Sequence, residues 1–417
     1  MLPPALSNGL CSLVPDEDRL THAAIMSFNA KGELRKVRFA RAVIHSQRRF
    51  SYEEAYALMQ KPDSSDPFSE RLEVAWELAS VLRKRRFAKG GLDLDMPEVR
   101  AVLDDNGKPV GMQRSEYDES HQLIEEFMLA ANEAVAKQTK DKMKPSIYRV
   151  HEDPDAEKLF EYRQLALGYG ISVGDLSNRA EIQKLLDQAR GKPHEHAIKV
   201  GLLKSLKRAA YSEKPEGHYG LAKVNYTHFT SPIRRYADLV VHRVLAATCG
   251  TGPGKTPPLA KLAATAEHLS TTERISADAE SESQKLKQLE FLWGEAQKGS
   301  DENPTTHPAL VHEVRRKGLF IETTDYFIKG LVPERGLPYC RDGYWFDGTL
   351  MRFVGRNPNR TYQAGDTVQV AVAEVDFERK MVDFRIIDDR PKKPSKKKPH
   401  GKKPGGKRNR FNKRRRR

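Results

Sequence analysis

The spacing of apolar residues divides the chain into regions of different character. Residues 22–60 begin with alternating apolar and polar positions, which predicts two strands joined at a Lys-Gly turn, and continue with a short helix after Ser51, a candidate N-cap. Apolar residues then recur at helical spacing in five segments: 66–87, 119–139, 154–167, 175–190 and 194–211. A long, polar, charge-rich helix is predicted from 258 to 298.

The character of the sequence changes after the breaker cluster "KGSDENP", which we interpret as a domain boundary. Short β-rich runs follow, separated by Gly, Asp and Asn: "ALVHEV", "GLFIET", "IKGLVP", "TVQVAVAEVD" and "MVDFRIID". Five such runs predict a small closed barrel of the OB type. We therefore expect an α+β protein with three parts: a body of mixed sheet and helices in 1–299, a five-stranded OB-type β-barrel in 306–389, and a disordered polybasic tail in 390–417.

The positive charge is concentrated in the predicted tail. The formal net charge is +15, but residues 390–417 hold 16 of the 72 Lys and Arg residues and none of the 57 acids, so the rest of the chain is nearly neutral. The tail has too little apolar surface to offset its conformational entropy, so it should not fold. A polyanion is the expected partner, through counterion release. A membrane is not expected, since the tail has one Phe and no lipidation motif.

The cysteines indicate a reducing compartment. Cys11, Cys249 and Cys340 are odd in number and widely spaced, so they suggest neither a disulfide framework nor a CxxC metal pair. The N-terminus has no charged flank or cleavage site of a signal peptide, and the apolar runs are shorter than a bilayer span. These features predict a cytoplasmic protein.

The stretch "HFTSPIRRYADLVVHR" combines an anion-binding pattern with a helix start. Thr230 and Ser231 are candidate N-caps and a proline follows, so the stretch predicts a loop entering a helix whose N-terminus favours anions. Arg234 could then bind phosphate while Asp238, one turn later, holds it in place. The alternative is a surface helix with an intrahelical Arg–Asp pair.

The longer segment "HYGLAKVNYTHFTSPIRRYADLVVHR", residues 218–243, resembles in order and spacing a motif of the ribonuclease II and ribonuclease R exoribonucleases. The segments "MLPPALSNGLCSLVPDEDRLTHA", "RFSYEEA" and "HQLIEEFMLAANEAVA" resemble other parts of that catalytic domain. Residues 308–389 resemble the RNA-binding barrel of the ribosomal S-one type that follows it, and a basic tail is typical of ribonuclease R. The resemblance covers nearly the whole chain.

The resemblance implies processive hydrolysis of RNA from the 3′ end to nucleoside 5′-monophosphates with Mg²⁺, in RNA decay and quality control. Single-stranded 3′ ends and structured RNA are the implied substrates, and the ribosome is a further candidate partner. Arg234 would bind the scissile phosphodiester, Tyr52 would lie near that phosphate, and Glu125 would lie near the terminal ribose. Glu280 would lie at the active-site end of the long helix. The alternatives are a half-buried strand-end tyrosine for Tyr52 and solvated helix faces for the two glutamates.

Four further residues are expected to contact RNA: Arg235, Leu94, Phe320 and Phe327. Leu94 falls where the family carries a base-stacking Phe after a Gly-Gly turn, and a leucine packs on a base more weakly. Phe320 and Phe327 match the base-stacking positions of such barrels, with core positions as the alternative. The aromatic residues Tyr339, Tyr344, Trp345 and Phe346 indicate a loop that forms either a lid or local core.

Carboxylates that could hold Mg²⁺ are not apparent. In the family they form a tight Asp cluster upstream of the segment with which this chain begins. We interpret "LDLD" (92–95) and "LDDNGKP" (103–109) as surface turns, and "DEDR" (16–19) lacks the spacing. "HEH" (194–196) places its histidines on different helix faces and is interpreted as a helix start. No metal ligand is assigned in the chain, and the Mg²⁺ ligands are expected in the upstream segment.

The sequence therefore predicts an incomplete exoribonuclease: a truncated or mis-started product, or one half of a split enzyme. A non-catalytic RNA-binding protein that keeps the channel, barrel and tail is the main alternative. A ribosome-associated or chaperone-like protein that uses only the tail is a weaker one. An in-frame Asp cluster encoded just upstream of Met1 would favour the enzyme.

Overall fold

The computed structural model describes residues 1–387 except 97, 116, 253, 299–303 and 356–359. The predicted polybasic tail, and the predicted boundary at 299, lie outside the described residues. The helices of the body are α1 (Tyr52–Gln60), α2 (Ser69–Ala88), α3 (Glu119–Asp141), α4 (Ala156–Gly168), α5 (Arg179–Ala189), α6 (Glu195–Ser205), α7 (Tyr236–Cys249) and α8 (Leu259–Lys298). Among the described helices, none has both the length and the apolar character needed to cross a bilayer.

The strands of the body form antiparallel pairs: β1 (Asp18–Phe28) with β2 (Leu34–His45), β3 (Glu98–Leu103) with β4 (Pro109–Ser115), and β5 (Tyr148–Val150) with β6 (Ala210–Ser212). The first pair and the Ser51 N-cap were predicted. Ser51 forms a capping box with Glu54. The β3–β4 hairpin was not predicted, although "LDDNGKP" forms its exposed turn. The predicted helix to residue 211 was wrong at its end, because the backbone of Tyr211 pairs with Arg149 in a strand.

Helix α3 is the central element of the body. The carboxylate of Asp118 accepts the N–H of Ser120 at 3.0 Å and so caps its first turn. Leu123, Leu129 and Val135 are buried on different sides of the helix, and helices α1, α2 and α7 all contact α3. This helix therefore fixes the positions of the elements around it.

Helices α4, α5 and α6 form a separate cluster with its own core, which includes Tyr162, Ile182, Leu185, Ile198 and Leu202. His194 occupies the N-cap position of α6, which confirms that "HEH" is a helix start. The α+β class is confirmed, with helices predominating in the body.

The five predicted strands of the second domain form a closed barrel in the order β13-β14-β9-β8-β7. Their bounds are β7 (His307–Arg315), β8 (Gly318–Thr323), β9 (Lys329–Pro333), β13 (Thr367–Asp376) and β14 (Met381–Ile386). Gly318 has φ +144°, and a Cβ there would lie 2.2 Å from the carbonyl oxygen of Val332. Only glycine fits this close crossing of β8 and β9.

A three-stranded antiparallel sheet is inserted into the barrel, and it was not predicted. It consists of β10 (Tyr344–Asp347), β11 (Arg352–Gly355) and β12 (Thr361–Gln363). The predicted aromatic loop was therefore wrong for Tyr344, Trp345 and Phe346, which lie in β10. Phe346 packs on Phe353 and joins the edge of the barrel core, whereas Tyr339 stays 84% exposed.

Helix α8 links the two domains. Leu262 is buried in the body, and Leu292 is buried in the barrel core. Residues 274–286 between them are exposed on every side. A helix that is polar all round bridges packed units through solvent. His307 strengthens the barrel end of the bridge, because it contacts both Asp325 (2.7 Å) and Glu295 of α8 (3.1 Å).

Candidate functional site

The turn before α7 is organised around one buried carboxylate. Asp238 is fully buried and accepts the backbone N–H of Ser231 at 2.7 Å. It also accepts two hydrogen bonds from Arg235, from Nε at 2.8 Å and from Nη2 at 2.9 Å. The prediction that Thr230 or Ser231 caps the helix was wrong: the helix begins at Tyr236, since the segment before it folds around the Asp238 side chain.

Arg234 is the exposed member of the arginine pair. The predicted Arg234–Asp238 contact is not formed, because Arg235 occupies that carboxylate. Within the described part of the chain, no hydrogen bond or ion pair is recorded for the Arg234 guanidinium. Arg235 therefore fixes the turn, and Arg234 presents its donors to solvent, where a phosphate could bind.

Two neutral histidines lie beside these arginines. Burial, together with the charges of Arg235, Arg149 and Arg234, lowers the pKa of His228 to about 2. Burial also lowers the pKa of His218 to about 3. Nδ1 of His228 lies 2.9 Å from the hydroxyl of Tyr211. At neutral pH these two histidines therefore add no positive charge beside the guanidinium groups.

One face of α3 joins Tyr52 and Glu125 to this turn. His121, Glu125 and Asn132 follow each other at helical spacing. The Tyr52 ring stacks on His121 at 3.8 Å, with an angle of 16° between the rings. Asn132 donates to the hydroxyl of Tyr226 at 3.1 Å and accepts the N–H of Phe229 at 3.0 Å, so it anchors the segment that leads to Arg234.

Glu125 lies close enough to Tyr226 for its charge to act on that hydroxyl. Burial raises the pKa of Tyr226, the charge of Arg235 lowers it, and the charge of Glu125 raises it. Glu125 also lies 3.6 Å from Arg86 and accepts a hydrogen bond from the Tyr117 hydroxyl. The structure thus brings Tyr52, Glu125 and the arginine turn together along α3.

The loop after the Gly-Gly turn lies beside Glu125. Leu94 is half-buried against the core of α4, α5 and α6. Asp95 contacts Arg83 at 3.0 Å, and burial, followed by the charges of Asp93 and Glu125, raises its pKa to about 6. The interpretation of "LDLD" as a surface turn in the wrong place was therefore incorrect, because tertiary folding brings it to the site.

These acids do not form a metal site. Asp93 pairs with Arg190 at 3.1 Å, Asp95 with Arg83, and Glu125 with Arg86. Over the described residues, no group of three acidic, His or Cys side chains is arranged to hold a metal ion. Each carboxylate has a guanidinium partner, so this donor set does not fit Mg²⁺.

Among the described residues, Glu280 makes no contact that links it to the turn of Arg234 and Arg235. It lies in the exposed stretch of α8, whereas Glu273 of the same helix contacts Arg149 at 2.5 Å. The Arg149 guanidinium lies 4.8 Å from the ring centre of Tyr211, which in turn contacts His228. Seven residues separate the two glutamates, about 10 Å along a helix.

The two predicted barrel aromatics lie on the side that faces the body. Phe320 is half-buried and lines a cleft of about 540 Å³ between the barrel and α4, α6 and α8. Phe327 lies in the turn between β8 and β9, with φ +54°, and its ring stacks on His196 of α6 at 4.3 Å. One face of Phe327 is therefore already covered by protein.

Comparison with known proteins gives the family. The RNB domain matches residues 1–250, well over half of the chain. The chain belongs to the RNB-domain family. The ribonuclease R of Thermotoga maritima is 34% identical over 400 residues, which cover 93% of this chain and 55% of that protein. The resemblance found in the motif at 218–243 is confirmed. The chain spans about half the length of the curated relatives it matches.

Solved RNB-family structures share the fold. Mycoplasma genitalium RNase R in complex with ribose-methylated single-stranded RNA matches with a TM-score of 0.79 and 27% identity, over 93% of this chain and 60% of that one. The same ribonuclease is also known in complex with double-stranded RNA. Yeast Ssd1, a pseudonuclease, matches with a TM-score of 0.64 over 84% of this chain and 43% of that one, but is 21% identical, so it shows the fold alone.

Several residues of the site were not predicted. Asn132, His121 and Tyr211 lie outside the motif, and Asp95 was assigned to a turn. The available signal was the helical spacing of His121, Glu125 and Asn132, which share one face of α3. No local pattern indicates the contacts of Tyr211, because they join β6 to Arg149 of β5, His228 and Ser270 of α8.

Proposed function

We propose that this chain supplies the RNA-holding part of a 3′-to-5′ exoribonuclease that hydrolyses RNA to nucleoside 5′-monophosphates in RNA decay and quality control. The exposed Arg234 guanidinium carries this proposal, because it has no acidic partner among the described residues and is backed by the Arg235–Asp238 pair. A guanidinium so placed binds phosphoryl oxygens and stabilises the charge that grows on them.

The neighbours of Arg234 suit an RNA 3′ end. We assign Tyr52 to the phosphate, since one face of its ring lies on His121 and the side chain is 43% exposed. Glu125 is assigned to the hydroxyls of the terminal ribose, which a carboxylate accepts well. Leu94 would pack against a terminal base. For Glu280, a role in the site requires an RNA that reaches the exposed part of α8.

The barrel and the tail are proposed to hold RNA upstream of its 3′ end. Phe320 and Phe327 are the proposed stacking residues, and each has one protein group against its ring: the Arg315 guanidinium lies 5.2 Å from the ring centre of Phe320, and His196 stacks on Phe327. That M. genitalium RNase R is known with both single-stranded and double-stranded RNA supports single-stranded ends and structured RNA as partners. A cytoplasmic location and contact with the ribosome stay predictions.

Hydrolysis in this proposal uses Mg²⁺, and the described carboxylates do not fit that ion. Because the chain spans about half the length of its relatives, we propose that a segment outside these 417 residues supplies the ligands. The poor fit of the described carboxylates to Mg²⁺ also favours a second candidate function, a non-catalytic RNA-binding protein.

One experiment separates the two functions. The chain alone, and the chain fused in frame to the upstream part of the T. maritima ribonuclease R, are incubated with 5′-labelled single-stranded RNA and Mg²⁺. We expect RNA binding by both proteins, and stepwise shortening from the 3′ end by the fusion only. A fusion that binds RNA without shortening it would favour the non-catalytic function. Mononucleotide release by the chain alone would show that its own carboxylates bind the metal.

A further inference from the structure

The ring of His228 is held in one orientation by contacts from several elements. Tyr211 of β6 contacts its Nδ1 at 2.9 Å. Tyr211 is itself fixed, because its backbone N–H donates to Ser270 Oγ of α8 at 2.8 Å and its ring lies under the Arg149 guanidinium. A side chain held this way loses little further freedom when it binds a ligand.

The hydrogen bond from Tyr211 determines which nitrogen of His228 carries the proton. Burial raises the pKa of Tyr211 to about 12, so its hydroxyl keeps its hydrogen. Nδ1 of His228 is the recorded partner of that hydroxyl within the described residues. A protonated phenol can donate or accept, and because this hydroxyl has no other acceptor among the described residues, we assign it as the donor to Nδ1, which places the proton of the neutral ring on Nε2.

The Nε2–H group of His228 is a free donor. Nε2 has no hydrogen-bond partner among the residues that the structure describes. The atom is not fully buried, so it retains contact with solvent. The positive charges around the ring belong to Arg149, Arg234 and Arg235, and His218 beside it is neutral. Those charges and burial keep His228 neutral, so it offers a hydrogen bond and not a transferable proton.

We propose that Nε2–H of His228 donates a hydrogen bond to a non-bridging oxygen of the phosphodiester that Arg234 binds. This inference rests on the proposed function, in which the site holds the 3′ end of RNA. A guanidinium attracts phosphate from many directions, whereas one fixed N–H selects a single oxygen. His228 would therefore orient the phosphate without adding charge beside three guanidinium groups.

The test uses RNA binding by the 417-residue chain, measured without Mg²⁺ by fluorescence anisotropy on a short single-stranded RNA. We expect His228→Ala to weaken binding about 3- to 10-fold, below the full range for a hydrogen bond to a charged oxygen because the site keeps contact with water. His228→Gln keeps an N–H near the Nε2 position and should retain most of the affinity. Tyr211→Phe frees the tautomer and should give an intermediate loss. His268→Ala, at an exposed position of α8, is the matched control and should bind as the wild type does.

A sulfur substitution distinguishes direct contact from a structural role. Single phosphorothioates, as separate stereoisomers, are placed at each of the last linkages of the RNA. For the wild type, one stereoisomer at one linkage should bind severalfold more weakly than the unmodified RNA, and this penalty should disappear in His228→Ala. A merely structural role would weaken the binding of both RNAs alike and leave the penalty unchanged.

Two results would overturn the inference while sparing the proposed function: wild-type affinity in His228→Ala, or an unchanged sulfur penalty in that variant, provided that Arg234→Ala still weakens binding. If His228→Ala does not fold, Tyr211→Phe replaces it and its sulfur penalty should shrink, whereas His228→Gln, which keeps the N–H, should retain the penalty. Absence of RNA binding by the wild-type chain would overturn the proposed function and this inference together.

Discussion

Arg235 and Asp238 form a two-point ion pair at the start of α7, with Nε–Oδ2 at 2.8 Å, Nη2–Oδ1 at 2.9 Å and the carboxylate fully buried. This pair decides which of two adjacent arginines is available to a ligand. Arg235 is committed to the protein, whereas Arg234 is exposed. The availability of Arg234 thus depends on the contact between its neighbour Arg235 and Asp238.

We expect Asp238→Ala to lower the free energy of unfolding by about 3–5 kcal/mol, because it leaves the Arg235 guanidinium and the Ser231 N–H without their acceptor. Urea titration followed by circular dichroism measures the change. Asp141→Ala is the matched control, since its pair with Lys137 is exposed and worth about 0.5 kcal/mol or less. Equal losses in the two variants would show that the buried Arg235–Asp238 pair contributes no more to stability than an exposed ion pair.

Arg234→Ala should affect turnover far more than RNA binding in the fusion with an upstream RNB segment. One guanidinium among many phosphate contacts adds little to affinity, but it stabilises charge at the scissile bond. We expect kcat to fall about 100-fold or more and Kd to rise less than about 10-fold. Arg243→Ala, an exposed arginine later in α7, should change neither quantity. Equal losses in kcat and affinity would show that Arg234 contributes to RNA binding and not specifically to the chemical step.

The elements with strong periodicity were predictable, and so were the strands of the barrel. Helix α3 carries a sustained apolar pattern, the long polar α8 ends at a cluster of breaker residues, and the β-rich runs around Gly318 are bounded by turn residues. The β3–β4 hairpin and β10 are short, and their pairing depends on partners that no local pattern specifies. Short strands depend on tertiary contacts more than on a local sequence pattern.

The motif residues were predictable as a set, but their contacts were not. A helix start displaced to Tyr236 moves Arg235, in place of Arg234, onto Asp238. Helix boundaries are the least certain part of a sequence-based prediction. Asp95 and Glu125 are thirty positions apart, and only the packing of the Gly-Gly loop beside α3 brings their charges together. Charges that meet through tertiary folding leave no local signal.

Removal of residues 390–417 should reduce the salt dependence of RNA binding. The segment holds 16 Lys and Arg residues and no acid, so each phosphate it contacts releases a counterion. We expect the slope of log K against log salt to become shallower by several units in the shortened chain, measured by anisotropy over a salt series. An unchanged slope would show that the tail does not contact RNA.

The stability of the protein should fall as pH rises from about 6.5 to about 9, because of His307. Burial alone would lower the pKa of this imidazole, but hydrogen bonds to Asp325 and Glu295 raise it to about 9. A group whose pKa is raised by folding stabilises the fold fully below its unfolded pKa, and that contribution is lost as pH rises through the folded value. Since both acids keep some contact with water, we expect a loss of about 1–2 kcal/mol, seen in urea titrations over this pH range. His307→Gln cannot titrate, so its deficit relative to the wild type should be largest near pH 6 and shrink toward pH 9. A deficit that stays constant with pH would show that His307 acts by packing and not by charge.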